Sequence, residues 1–585
     1  MENMTRKGFV AGAIAAGLAV TATAMTPAMQ ADATEKKTAD AKASSSDAQD
    51  LDPNQAAIER NADWLGEEPV FTEDQITETI ETDVLVIGAG VSGVAATRAA
   101  VEAGASVVIL EKGESYSGRG EDYTVIGGEV QKRYGRADID PDAIVDEVMK
   151  ECDCRNKRDI LSTWAHNCGE AFDWLLESCP DLYICDKTRA DVPDDHADFF
   201  VTPHRYPDPE FYDWHTEQYP IFPVTMYFQP GQAPIVGHNL EMAKSEGDVT
   251  TLFGTFAQKL EKDDDGRVIG AIFTYQDGRV GRVRASRGVI LATGDYGSNQ
   301  QMLQHFVPQV VENKIHAFYN SKDVNGNNVN TGDGHKMAVW AGARLQQNHA
   351  PMIHHMGTPG VMGIAPFLLL NRDGKRFCNE DLPGQQLENQ IEQQPEQYAW
   401  QIFDAKWPEE LAHMPAGHGV ACYYSNDEPK NNTNNRNYVS DAKLAKSVED
   451  GNTLKADTLE ELLAQMDVDT DAALASIERY NELAKAGKDE DFNKKAERVF
   501  ALETGPFYAC RFGTAAMLVC IGGVESDPAC HAYDNSWNLI PGLYVTGNMQ
   551  GGRFAVEYPI CCPGISHSMA LTFGRIAGTN CAQGL

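Results

Sequence analysis

The chain has 585 residues, 42% hydrophobic and 23% charged, a composition that suits one large globular body built in more than one part. Forty-nine basic against 86 acidic side chains leave a formal charge of −37. Nucleic acid and anionic lipid, which are held by positive surface and counterion release, are excluded as partners on that ground.

At the start of the chain, Arg6 and Lys7 precede an apolar small-residue run over 9–24, with Ala22-x-Ala24 and Ala31-x-Ala33 after it. This is the pattern of an export signal, so residues 1–33 are read as one, and export to the cell envelope or a periplasm-equivalent space is expected. Arg6-Lys7 approximates a twin-arginine pair with lysine in the second basic place, pointing to the Tat route. The run is too short and alanine-rich for a stable membrane span. Residues 34–72, rich in Ala, Ser, Asp, Lys and Glu, read as a disordered linker.

Residues 82–112 read as a complete strand–helix–strand unit. An apolar strand runs into Gly88-Ala89-Gly90-x-x-Gly93, an alanine-rich helix follows, and a second apolar strand ends at Glu111 and Lys112. Gly88 serves a tight turn, Gly90 lets backbone approach a pyrophosphate, and Gly93 lets the helix pack on the strand. The helix N-terminus attracts the anion, and Glu111 stands where a carboxylate accepts ribose hydroxyls. The spacing admits FAD or NAD.

Further along, Cys152, Cys154, Cys168, Cys179 and Cys185 match no metal-site spacing, and no metal is assigned. The 13 cysteines are read mostly as small reduced core residues. Residues 204–228, aromatic and proline-rich without clean periodicity, read either as an ordered loop at a substrate entrance or as a surface loop stapled by its own aromatics. Residues 459–486 have apolar positions near helical spacing and read as one helical run.

Several of these segments together resemble the fumarate reductase/succinate dehydrogenase flavoprotein family, from about residue 80 to the end. They are Glu111-Lys112 with Gly118 and Gly127-Gly128, then Ala292-Thr293-Gly294, residues 331–343, residues 541–552 with Gly547-Asn548, and Gly564-Ile565-Ser566 leading into a helix through Gly578. The resemblance implies FAD, and these positions, with Ala257, as its contacts. No histidine lies between Lys112 and Gly128, so the FAD is expected to be noncovalent. It also implies an α/β fold: a Rossmann-like FAD-binding domain split between 73–345 and 505–585, with an α+β capping domain at 346–504 inserted. Asn371 to Glu380 matches the cap's hairpin.

The family's substrate-binding residues fare differently. Its cap histidine matches His354, followed by His355 where proline is usual. The Thr-Glu-x-x-Arg run falls at Gly360 to Gly363, the proton-donating arginine near Gly384, a further histidine near Leu518 or Val519, and the last arginine near Cys561. With the cations gone from those places, two buried carboxylates would stand unpaired, so fumarate is disfavoured and an apolar pocket is expected. Gly547-Asn548, Tyr558-Pro559 and Pro563-Gly564 look like the ketosteroid dehydrogenase branch, where a tyrosine hydroxyl and a glycine N–H hold a ketone oxygen.

The implied activity is reduction of the C=C bond of an α,β-unsaturated carbonyl compound, an enone or enoate. The flavin N5 supplies hydride, Tyr558 is proton donor, Gly564 an oxygen ligand, and His354 or His355 polarises the carbonyl or relays protons. Against these stand a packed core tyrosine and structural histidines. No haem, iron–sulfur or NAD(P)H module is evident, so an external donor such as an envelope cytochrome or a quinol-linked protein is implied. Two alternatives stay open: a ketosteroid-type dehydrogenase run in the oxidative direction, and an FAD-carrying electron-relay subunit without its own substrate.

Overall fold

A computed structural model describes residues 64–585 apart from 134–138, 186–191, 204–212, 319–320, 355–360, 415–422, 427–437 and 514–515. The export-signal and most of the linker reading, His355, Gly360 and residues 204–212 of the aromatic segment lie outside the described residues. The chain divides into Met1–Glu67, of which only 64–67 are described, and Glu68–Leu585. The sheets and the glycine-rich motif belong to the second of these units.

Strand Ile76–Ile87 changes character along its length: its first half alternates between exposed and half-buried, and its last four residues are all buried. The change follows from its neighbours. Its apolar end lies between two parallel strands, Val280–Leu291 on one side and Val107–Glu111 on the other, a setting that buries both faces. Leu539–Val545 extends the sheet beyond Val280–Leu291, and Val249–Phe253 extends it beyond Val107–Glu111. The hairpin Thr255–Lys262 and Val268–Tyr275 branches from the early half of Val280–Leu291.

One face is covered by helices Val91–Glu102 and Ile565–Gln583, which pack tightly because both are rich in small residues. A Cβ on Gly574 would lie 2.5 Å from Ser92 O, and one on Gly578 only 2.2 Å from Ala96 O. These two glycines, four apart on one helix face, set the close approach that the alanine-rich partner permits.

A second sheet is antiparallel: Leu368–Asn371, Tyr398–Phe403, Phe507–Gly513 and Leu454–Ala456. Strand Phe507–Gly513 hydrogen-bonds only within this inserted sheet among the described residues. The helical run read over 459–486 is two helices, Leu459–Leu463 and Thr470–Ala486. Asp469 breaks it by accepting a hydrogen bond from Ala472 N at 3.0 Å as an N-cap, a local bond that outcompetes helix continuation. A third, small sheet has Ala516–Ile521 between His316–Ala317 and Ala350–His354. Among the described residues no helix is long and apolar enough to cross a membrane.

Candidate active site

The glycines at the carboxyl end of Ile76–Ile87 form a cradle. Gly88 has φ +107°, and a Cβ there would stand 2.4 Å from Ala292 O; at Gly93 it would stand 1.9 Å from Gly88 O. Gly90 is different: the nearest atom to its added Cβ is Ser117 Oγ at 3.8 Å. The first two glycines let chain pack on chain, and the third opens onto space. Gly90 is also the N-cap of Val91–Glu102 with no side chain bonded there, so its first N–H groups are left for an anion. This cradle fits the FAD pyrophosphate.

The other expected cofactor positions gather around it. Glu111 accepts from Ala89 N (2.9 Å) and Gly113 N (2.7 Å), which aims its carboxylate along the cradle. Gly118 presses on Ala233, where a Cβ would meet Cα at 2.7 Å, and Ser117 N donates to Ala89 O at 3.0 Å. Thr293 packs under Gly334, Gly294 takes φ +76° with open space beside it, and Gly547 at φ +66° abuts Ser92 Oγ. Lys112 instead pairs with Asp333 (2.8 Å) and Thr331 (2.7 Å). Ala257 sits in the hairpin strand, three residues past Gly254, whose N–H donates to Gly113 O at 3.0 Å.

Beyond the cradle a small cavity lies among strand Ala516–Ile521, the 547–558 segment and the start of the C-terminal helix. Tyr558, Arg553, Asn548, Ser566, Gln346 and Val519 are among its walls. Gly564 begins the helix at φ +86°, pressed so close to the 122–123 backbone that a Cβ would lie 2.5 Å from Tyr123 N. The helix has no side-chain cap, and Ser566 in its first turn donates from Oγ to Asn548 Oδ1 at 3.3 Å, on the same cavity wall as Tyr558. Burial pushes the Tyr558 phenol well above its ordinary value, outweighing Ser566 and Arg553, so it stays protonated at neutral pH. Phe554 packs against its ring at 4.9 Å.

The cavity is mostly apolar, with Val519, Ile521 and Phe554 on its wall, as expected from the missing family arginines, but one cation is buried in it. Arg553 is 5% exposed and donates from Nε to Gln550 O (3.1 Å) and from Nη2 to Asn548 Oδ1 (3.0 Å). Its Nη1 is buried with no acceptor among the described residues. Burial pushes the guanidinium down to about 10, partly offset by Tyr558, and it remains a cation at neutral pH. The residue directly follows Gly551-Gly552, the end of the motif read for the flavin. Its signal is the one basic residue in a glycine-rich and apolar stretch, with only Glu557 charged close by.

Of the other expected positions, Val519 lines the cavity, whereas Gly384 opens helix Gly384–Glu392. That helix reaches the tyrosine loop through Asn389, which donates to Glu557 Oε2 at 2.9 Å, while Glu557 Oε1 accepts from Tyr558 N at 3.2 Å. Burial pushes Glu557 up to about 8 and Glu151, whose Oε2 accepts from Ile560 N at 3.2 Å, up to about 7. Cys561 is buried, and its carbonyl accepts from Phe222 N at 2.8 Å. His354 ends strand Ala350–His354, paired in register with Ala516.

Two histidines that sequence patterns do not single out stand behind the cavity wall. His335 Nε2 donates to Gly522 O at 2.9 Å; His349 Nε2 donates to Gln346 O at 2.9 Å, so its Nδ1 accepts from the Tyr296 hydroxyl at 2.6 Å. Burial pushes them down to about 4 and about 3, so both are neutral and brace Gly522. His335 lies within the 331–343 segment that resembles the family, and nothing in the sequence context of His349 marks it.

Residues 83–565 match the family model of the FAD binding domain. The chain belongs to this family. It is a flavin-dependent oxidoreductase acting on CH–CH or C=C bonds, of the fumarate reductase-like group. The vinyl phenol reductase of Lactiplantibacillus plantarum is 24% identical over 527 residues, which cover 86% of this chain and 96% of that one. The 3-ketosteroid-Δ4-(5α)-dehydrogenase of Rhodococcus jostii RHA1 has a TM-score of 0.64 at 22% identity, over 87% of this chain and 99% of its own. The open conformation of a flavocytochrome c3 fumarate reductase has a TM-score of 0.59 at 23% identity, over 93% and 83%. Both structures share its fold: a FAD-binding domain with an inserted capping domain.

Proposed function

We propose that this flavoprotein reduces the C=C bond of an α,β-unsaturated carbonyl compound, an enone or enoate, with electrons from a separate donor such as an envelope cytochrome or a quinol-linked protein. Bound FAD supplies the hydride for the β-carbon. The observation that carries the reading is the buried Tyr558, a phenol on the wall of the cavity beside the start of the C-terminal helix, whose Ser566 lines the same cavity. A neutral phenol has one proton to give, and in a closed site its donation to the α-carbon or the carbonyl oxygen acts where charge develops. The vinyl phenol reductase relative, named for reduction of a vinyl group, supports the same bond type.

Residues 1–33 as an export signal place that chemistry in the cell envelope, which is why the donor is sought there. A dicarboxylate is a poor fit, because the cavity offers one cation and a second carboxylate would be buried unpaired.

The test is anaerobic. Holoprotein reduced photochemically is mixed with cinnamate, a steroid enone or fumarate while flavin absorbance is followed. Fast reoxidation by cinnamate or the enone, and not by fumarate, is expected. Reoxidation by fumarate, or by none of the three, rejects the reading.

A further inference from the structure

Among the described residues, every other buried arginine has an acid beside it. Arg98 meets Glu102 and Glu177 at 2.8 and 2.6 Å, Arg282 meets Glu73 and Glu261 at 2.6 and 2.9 Å, and Arg498 meets Glu217 at 2.9 Å. Arg376 has Glu380 and Asp489 at 2.8 and 2.7 Å. Arg553 has none: among the described residues no carboxylate lies within ion-pair distance, and its acceptors are two neutral carbonyl oxygens.

A buried cation left without an anion is costly, and proteins retain one where something else supplies the charge. Three of the guanidinium's features bear on what that is. Nε and Nη2 each hold one acceptor, which fixes the plane of the group, and Nη1 has none among the described residues. The group lines the same cavity as Tyr558, and Tyr558 is the one titratable neighbour that favours its charge. Asn548, its Nη2 acceptor, also accepts from Ser566 Oγ at 3.3 Å, which ties the guanidinium to the start of the helix.

We infer that Arg553 receives one anionic oxygen of the substrate through Nη1, so that the substrate of this site is a monoanion, an enoate carboxylate, rather than a neutral enone or a dicarboxylate. The inference rests on the proposed reductase reading for the word substrate, but not for the anion site. Nη1 has no acceptor for its N–H groups, one guanidinium charge balances one carboxylate, and a charge-assisted bond in a closed cavity is stronger than a neutral one. The Tyr558 hydroxyl, on the same wall, is left to serve the reacting end of the molecule. The flavin ring is a weaker claimant, because in its oxidised form it is uncharged and would leave the guanidinium uncompensated in the resting enzyme.

The experiment uses the full-chain holoprotein with oxidised FAD and two probes without a reducible bond, benzoate and its neutral isostere benzamide, titrated by calorimetry. Benzoate is expected to bind at least about tenfold more tightly than benzamide. Arg553→Gln should erase that preference and Arg553→Lys keep part of it, with FAD content unchanged in both. Equal affinities, no benzoate binding, or a preference that survives in Arg553→Gln overturns the inference. So does a shift of the flavin midpoint potential in Arg553→Gln with the benzoate preference intact, which assigns the guanidinium to the flavin. Cinnamate turnover is scored apart: its absence beside an intact benzoate preference sinks the reductase reading and still supports the anion site.

Discussion

Arg376 in the inserted antiparallel unit and Arg553 beside the cavity are equally hidden from water, yet their surroundings are opposite. Arg376 donates to Glu380 through Nε (2.9 Å) and Nη2 (2.8 Å), and to Asp489 through Nη1 (3.0 Å) and Nη2 (2.7 Å), while Lys494 stands 3.3 Å from Glu380. Burial works against its charge, but the two acids outweigh burial and raise its pKa. Arg553 has neutral partners only, and there burial wins and lowers it. A buried guanidinium whose charge is met by its own protein is scaffold; one whose charge is unmet is waiting for a ligand.

Stability separates the two most sharply. Arg376→Met leaves Glu380 and Asp489 buried without their principal partner and is expected to cost about 3–5 kcal/mol in urea unfolding. Arg553→Met removes an uncompensated charge and should leave the unfolding midpoint unchanged or raise it. A comparable loss in both variants would break the contrast. Next in size is Tyr558→Phe, which keeps the ring against Phe554 and loses the hydroxyl; kcat on cinnamate should fall about 10²–10³-fold with FAD content unchanged. An undiminished kcat would make Tyr558 a packing residue.

A smaller effect tests the carboxylates below the tyrosine loop. Glu151 and Glu557 are raised from the ordinary 4.5 to about 7 and about 8, so both hold their proton more firmly folded than unfolded. Their contribution to stability is full below that ordinary value and is lost as pH rises through their folded values. Thermal unfolding of Glu557→Gln should therefore fall less steeply than wild type between about pH 5 and about pH 9. An identical slope would show that Glu557 is ionised throughout. The smallest expected effect is that of Asp491→Asn, which breaks the exposed pair with Arg479 at 2.8 Å: no measurable change in Tm, because water screens it.

The contrast also marks how far a sequence can be read. The cradle is legible because Gly88, Gly90 and Gly93 act through backbone geometry at fixed short spacing, and a pattern in the chain is then a pattern in space. Tyr558 and Ser566 are legible as neighbours of the same motif. The one buried cation of the cavity is not, because the family's pattern puts its cations at places such as Gly384 and Cys561. The guanidinium enters instead from Arg553, on the turn just past the flavin motif. The extent of the inserted sheet is equally hidden: Phe507–Gly513 pairs with Tyr398–Phe403, about a hundred residues earlier, and nothing local to the strand names its partner.

What the sequence determined by itself was the nucleotide cradle and the family, each a matter of residues close along the chain whose roles follow from their own chemistry. What only the tertiary structure decided was which buried charges are paired. Arg376 meets Glu380 four residues away and Asp489 more than a hundred away, and Arg553 meets no acid among the described residues. Charge compensation in a low-dielectric interior depends on every group within a few ångströms, whatever its place in the chain, and that neighbourhood exists only once the chain has folded.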